Sequence, residues 1–437
     1  MTWENATGLP QPTRGREGRD GTTADLLDAI EDGARIHIAY AAAFPVTLAS
    51  AISEAQDQWT DVEIVTGVHH DAHPLFEPAK GSPFRFALIQ ASGPLGPALA
   101  AGAASVIPSA LSDWPRICAP DGPRPCDVSL VQVSPPGPDG RFSMGTGAAD
   151  QIEIVRRAPV VIAEVNPRMP YTFGATELFR DEIDLLIEAE HELPEAGGGG
   201  DFGELEATIA AHAAPEIPDG ATLQFGIGRI PDAIVASLDG HSDLGLHSGM
   251  IGDACIGLVE AGVLTGARKS ADVGKLVAGV VLGSRRIFDW VDRNPDVLMV
   301  PAAYSHGAST LASVHQLAAI NSVIEVALDG SANAEQIGDR IISGPGGQPD
   351  YALGAQLSPG GVGIVAISST AGRTPRSRIV DRLPASVPVS IPRNLADRVV
   401  TEYGVARLDG ATLAERADRL RAIAHPDFRE ELTNGPA

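Results

Sequence analysis

The chain has 437 residues, 44% of them hydrophobic and 20% charged, and a formal charge of −24 from 32 basic and 56 acidic residues. A surface this acidic argues against nucleic acid or an anionic membrane as partner, although glycine loops and helix N-termini can still hold a small phosphate. The length exceeds one ordinary core, the longest apolar runs fall short of the roughly 18 residues of a membrane span, and Cys118, Cys126 and Cys255 lack CxxC or zinc-ligand spacing. Two domains of a cytoplasmic enzyme, without a disulfide framework or structural zinc, are the expectation.

In chain order, residues 1–23 are polar and rich in Gly, Pro and Arg, and are expected to form a mobile tail. A short helix opens at Thr23-Ala-Asp25. A strand follows over Arg35–Tyr40, then a helix from Pro45 to Glu54 and a strand over Val62–Val68. Phe84–Gln90 and Ser105–Pro108 read as strands around a Leu95–Gly102 helix. Cys126–Val133, Val160–Val165 and Ile183–Ala189 complete a first domain, 24–194. The glycine-rich segment 195–201 is the clearest linker, and 202–437 is the second domain.

In the second domain the apolar run Leu223–Ile227 ends in Gly226-Ile-Gly228. Pro231 opens an amphipathic helix, and Asp243-Leu-Gly-Leu-His247 returns as a strand. Ligands of such βαβ units sit where the strands end, which points at Gly226–Ile230 and His247–Met250. Lys275–Leu282, Val297–Val300, Ile320–Leu328 and Gly361–Ser368 read as strands, and Arg285–Arg293 and Leu413–Ile423 as helices. Ala34–Glu54 and Gly220–Gly240 share a frame of strand, small-residue turn, proline and helix; duplication explains this, and so do two ordinary βα units. The fold class is α/β, each domain having a mainly parallel sheet flanked by helices.

Motifs recur along nearly the whole chain: Leu130-Val-Gln-Val-Ser-Pro-Pro136, Ile162-Ala-Glu-Val-Asn166, Gly226-Ile-Gly228 with Ile230-Pro-Asp-Ala233, Asp243-Leu-Gly-Leu-His247, and Gly274-Lys275. Ala319-Ile-Asn-Ser322, Ser343-Gly-Pro-Gly-Gly-Gln348 with Asp350, Ser377-Arg-Ile-Val380, Val400-Thr-Glu-Tyr-Gly404 and Ile423-Ala-His-Pro-Asp-Phe-Arg429 continue the series. In these the chain resembles the acetyl-CoA hydrolase/transferase family, the branch with acetate and 4-hydroxybutyrate CoA-transferases. The resemblance implies two related α/β domains with the active site between them, a homodimer, and coenzyme A bound as an acyl-CoA substrate. It also implies ping-pong transfer, in which a glutamate carboxylate attacks the thioester and becomes a glutamyl-CoA thioester, with glycine-loop amides stabilising the oxyanion.

One position departs from the family pattern. The family carries the nucleophile in a His-Thr/Ser-Glu-Met/Val segment, and this chain reads His247-Ser248-Gly249-Met250. Glycine has no side chain to attack with. Around it, Gly344, Gly346, Gly347 and Gln348 are expected to form an oxyanion or CoA-approach loop, with Gly226 and Gly228 as a second glycine turn. Lys275 suits a CoA phosphate and equally an exposed strand start. His247 suits a general base and equally a hydrogen-bonded strand-end histidine. Glu164 is placed at a strand end as a site candidate, and Glu325 either lines the cleft or holds a buried salt bridge. Ser248, Met250, His70 and His306 are assigned to the substrate pocket, with His69 and His73 adding imidazoles nearby. Cys255 and Ser248 read as packing residues rather than substitute nucleophiles.

Three functions follow. The first is a CoA-thioester enzyme in which a carboxylate, amine or water attacks the bound thioester directly; the second is a CoA-transferase using another residue. The third is a CoA-binding pseudoenzyme or the non-catalytic subunit of an intact paralogue. If Gly249 enlarges the pocket, the acyl group is bulkier than acetyl.

Overall fold

Short β-branched strands alternating with helices place parallel strands side by side, because each crossover returns the chain to the same end of the sheet. The computed structural model, which describes residues 15–78, 81–196 and 202–432, follows this rule twice. Of the described residues, a first compact unit comprises those before residue 197 together with Val277–Ser305. A second comprises those from residue 202 to Leu276 and from His306 onwards.

The first unit has an eight-stranded sheet in the order Arg19–Asp20, Leu185–Glu188, Val160–Val165, Val128–Val133, Arg35–Ile38, Val62–Thr66, Phe84–Leu88 and Ala104–Val106. Every pairing in it is parallel. Leu48, Ile52, Ile64, Leu88 and Leu130 are fully buried in its core. In the second unit, six strands follow the order Gly404–Arg407, Arg398–Thr401, Val362–Ala366, Leu317–Ser322, Thr222–Phe225 and Gly245–Ile251. Their pairings are parallel except at the Arg398–Thr401 edge hairpin.

Both units share one winding. The strand of the repeated frame, Arg35–Ile38 or Thr222–Phe225, lies centrally, with the next strand on one side and later strands on the other. Each unit therefore has a topological switch point at the carboxyl ends of its central strands, where this class of sheet binds ligands.

Several expectations need correction. Part of the 1–23 tail is ordered: Arg19–Asp20 is an edge strand beside Leu185 and Leu186, held by the Gly18 and Gly21 amides donating to Ile183 and Leu186. Residues 1–14 and most of the 195–201 linker lie outside the described residues. Ile320–Leu328 is two strands, Leu317–Ser322 and Glu325–Ala327, and the second joins a separate small sheet. The 202–437 span does not group as one body, since Val277–Ser305 belongs with the first unit. The Ala148 and Ala149 amides donate to Gly279 and Val300 at 2.9 and 3.1 Å, and Val297–Met299 pairs with Phe173–Gly174.

Among the half-buried polar groups, Glu216 is tied to two arginines. Glu216 accepts from Arg398 at 3.1 Å and, in a bidentate pair, from Arg407 at 2.7 and 3.0 Å, joining the edge hairpin to the Ala214–Glu216 turn. Arg407 above all, then Arg398, holds the Glu216 carboxyl below its ordinary value, against the opposing effect of burial. A depressed carboxylate pKa stabilises the fold above the unfolded-chain pKa, and that contribution is lost as pH falls through the folded value. Glu216→Gln is expected to cost about 1 kcal/mol at neutral pH, a modest figure because Arg407 is exposed. In urea melts the difference from wild type shrinks once pH drops below the ordinary carboxylate value of 4.5. A difference that stays constant into acid would rule this out.

Candidate active site

Strand Gly245–Ile251 carries His247, Ser248, Gly249 and Met250 towards its carboxyl end. Side chains alternate along a strand, so His247 and Gly249 share one face and Ser248 and Met250 the other. Ser248 is buried, and its Oγ accepts from the Phe225 and Met250 amides at 3.5 and 3.3 Å. It stitches two strands together rather than facing the Gly249 side.

Gly249 lies against His306. A Cβ at position 249 would stand 2.8 Å from His306 Nε2 and 3.6 Å from Tyr351 Cε2, and one at Gly347 would meet the same imidazole closer still. Two glycines from separate segments thus enclose one ring. Tyr351, on helix Gln348–Leu357, packs against that ring with centroids 4.8 Å apart. Burial, and then the charge of His247, push His306 down to about 3, which leaves the imidazole neutral. The imidazole therefore borders Gly249 on the side where a Cβ would point, which is not the space expected for a bulkier acyl group.

The neighbouring glycine segments are built on the same logic. Gly346 has a φ of +55°, a left-handed conformation that favours glycine, and Gln348 opens the helix while its Nε2 donates to the Ser322 carbonyl at 3.3 Å. Gln224 and Asn321 exchange amide hydrogen bonds of 3.2 and 2.9 Å across adjacent strands. A Cβ on Gly226 would fall 2.7 Å from Asn321 Oδ1. Gly228 precedes helix Arg229–Ala236. Gly226, Gly228 and Gln348 thus gather where strands Thr222–Phe225 and Leu317–Ser322 end, at the switch point of the second unit.

Other candidates are engaged elsewhere. Glu325 accepts from Asn333 Nδ2 at 2.9 Å, and its charge acts on half-buried Arg378. Lys275 precedes strand Leu276–Val281, and its carbonyl accepts from Nζ of Lys269 at 2.7 Å. Cys255 is fully buried, and burial pushes its thiol up to about 12, so no thiolate forms.

Glu164 and His70 belong to the first unit. Glu164 is fully buried; it accepts from the Thr47 and Leu48 amides at 2.9 and 3.1 Å and meets His191 Nε2 at 2.7 Å. It anchors the start of helix Val46–Glu54, where the free N–H groups favour an anion. Beside it, His69, His70, His73 and His191 line a cavity of about 210 Å³ with Phe44 and Val46. His70 and His306 accordingly fall in different units. Among the described residues, no group of three or more His, Cys, Asp or Glu is arranged to hold a metal ion.

Sequence reasoning passed over Tyr351 and His191. Tyr351 had a signal, since it follows Asp350 in the glycine-loop motif. His191 had none, because its role depends on Glu164, twenty-seven positions earlier, reaching it across the sheet.

Comparison with known proteins bears on the family and the fold. The model of the acetyl-CoA hydrolase/transferase N-terminal domain matches residues 21–191, and that of the acetyl-CoA hydrolase/transferase C-terminal domain matches residues 283–435. The chain is 38% identical to the 4-hydroxybutyrate coenzyme A transferase of Clostridium kluyveri over 94% of its length and 96% of the relative's. The crystal structure of RipA from Yersinia pestis superposes with a TM-score of 0.86 at 27% identity, over 95% of this chain and 96% of that one. The 4-hydroxybutyrate CoA-transferase structure from Porphyromonas gingivalis gives 0.79 at 32% identity, over 95% and 96%.

The Glu164–His191 pair yields a direct test. Burial works against a proton on His191, but the hydrogen bond and charge of Glu164, with the carbonyl and charge of Glu192, together outweigh it and raise the imidazole above its ordinary value. Glu164→Gln leaves burial opposed only by the carbonyl and charge of Glu192. The His191 pKa, followed by NMR titration, is expected to fall below 6.5. Stability drops by about 2 kcal/mol as the two amides lose a charged acceptor. An unmoved titration would mean that Glu164 does not set the His191 charge.

Proposed function

Because this chain belongs to the acetyl-CoA hydrolase/transferase family, we propose that it cleaves or transfers an acyl-CoA thioester by direct attack of the acceptor, with no glutamyl-enzyme intermediate. The observation that supports this most is the fit of His306 against Gly249, 2.8 Å from where a Cβ would begin. A nucleophilic carboxylate at position 249 would need the volume that the imidazole fills. Coenzyme A enters as substrate. Its thioester is assigned to the shelf formed by Gly249 and Gly347, both partly exposed. The amides at the start of helix Gln348–Leu357 supply the donors that polarise its carbonyl.

In this reading the protein's work is to bind, orient and polarise. The carbonyl carbon stays electrophilic because the developing oxyanion is held by backbone dipoles rather than by water, and the acceptor reacts from a position held beside it. Gln224 and Asn321 contribute by fixing the strand ends that carry the glycine turns. The acceptor classes are carboxylate, amine and water, and the assembly proposed is a homodimer.

The experiment is CoA release from a panel of acyl-CoAs with acetate, amines and water as acceptors, followed by intact-mass measurement of the protein. Turnover with no mass increment from covalent CoA is the expected result. A CoA adduct on the wild-type protein would overturn direct attack. Acyl-CoA binding without turnover by any acceptor would move the assignment to a CoA-binding pseudoenzyme or a non-catalytic subunit.

A further inference from the structure

We propose that His306 is the catalytic residue of this site, acting as general base for a protic acceptor, such as water or an amine, that attacks an acyl-CoA thioester seated over Gly249 and Gly347. The proposal rests on the direct-attack reading and narrows it, because it selects protic acceptors over carboxylates.

The geometry carries it. The imidazole edge stands where side chains at positions 249 and 347 would begin, and Nε2 is its nearest atom to both. It is thus the functional group adjoining the glycine shelf on the face where a nucleophile at 249 would stand. Three other reactive groups nearby, Ser248, Cys255 and Tyr351, do not fit the task, and His247, on the same strand face as Gly249, is not the atom that a side chain at 249 or 347 would meet first. Ser248 points to the opposite face of its strand, and Cys255 keeps its proton. Tyr351 packs beside His306, but burial drives its phenol well above the ordinary value, so it does not act as a base. Burial keeps the imidazole unprotonated, which is the form able to accept a proton.

The step balances without a co-reactant. As the acceptor's X–C bond forms at the thioester carbonyl, its X–H proton passes to His306 Nε2. The C–S bond then breaks, CoA leaves as thiolate, and the imidazolium returns the proton to that sulfur. The products are acyl–X and free CoA. Bonding to the carbonyl carbon makes the X–H group strongly acidic, so an imidazole of low basicity suffices at that moment. A carboxylate acceptor is already ionised at neutral pH and has no proton to surrender.

The test compares water, hydroxylamine and acetate as acceptors for wild type, His306→Gln and His306→Gly. Wild type is expected to release CoA with water or hydroxylamine at least about tenfold faster than with acetate, and to show a solvent deuterium isotope effect on kcat. His306→Gln should lose about 100-fold in kcat with KM for acyl-CoA little changed, the scale expected of a general base. Added imidazole should restore turnover to His306→Gly. Equal kcat in His306→Gln, or no solvent isotope effect in wild type, would overturn the role of His306 while leaving direct attack standing. Covalent CoA on the wild type would overturn both. The isotope effect is measured on the unaltered protein, so the proposal stays open to refutation even if a variant fails to fold.

Discussion

A parallel strand covered on both faces can place chemistry only at its ends, and each polar side chain along its length must find a partner inside the protein. Both sheets of this protein are built under that constraint. His37 bonds Ser129 at 2.7 Å, Gln224 bonds Asn321, and Glu164 satisfies two amides and a histidine. Each of these links spans two adjacent strands or a strand and the segment covering it, so the polar groups fix the register that the apolar core alone would leave loose. The strand ends are then positioned closely enough to hold glycine turns with little tolerance.

That precision explains why glycine recurs where it does. Gly226 abuts Asn321, and Gly249 and Gly347 abut His306, each leaving no room for a methyl group without displacement. Such contacts are informative in pairs. A glycine in place of a reactive residue reads as a deletion when taken alone. Beside a buried imidazole 2.8 Å from where its Cβ would begin, it is also a position of close packing. The fold common to the family is kept, and altered chemistry at one strand end is the proposed part.

The first unit has its own feature at its strand ends, a cavity with four histidines, Phe44 and Val46. Burial pushes His69 down to about 3 and also lowers His70 and His73, whereas Glu164 raises His191. Imidazoles of one residue type thus differ in proton affinity according to their surroundings, and counting histidines says little about the electrostatics of the cavity.

Much was legible in the amino-acid sequence because it rests on local pattern. Alternating strand and helix periods, the proline-started helix at Pro231 and the motif series from Leu130 to Arg429 establish the α/β class, the parallel sheets and the family. Gly249 stands out in the same way, as a break in one motif. The tertiary structure decided what adjoins that break, since the ring beside Gly249 comes from position 306, fifty-seven residues along the chain. It also decided that Arg19–Asp20 is a strand, because a two-residue edge has no periodicity and exists only through its pairing with Leu185–Leu186. Likewise Glu164 became an internal anchor through Thr47, Leu48 and His191. Pattern is a property of neighbours along the chain, whereas volume, pairing and charge are properties of neighbours in space.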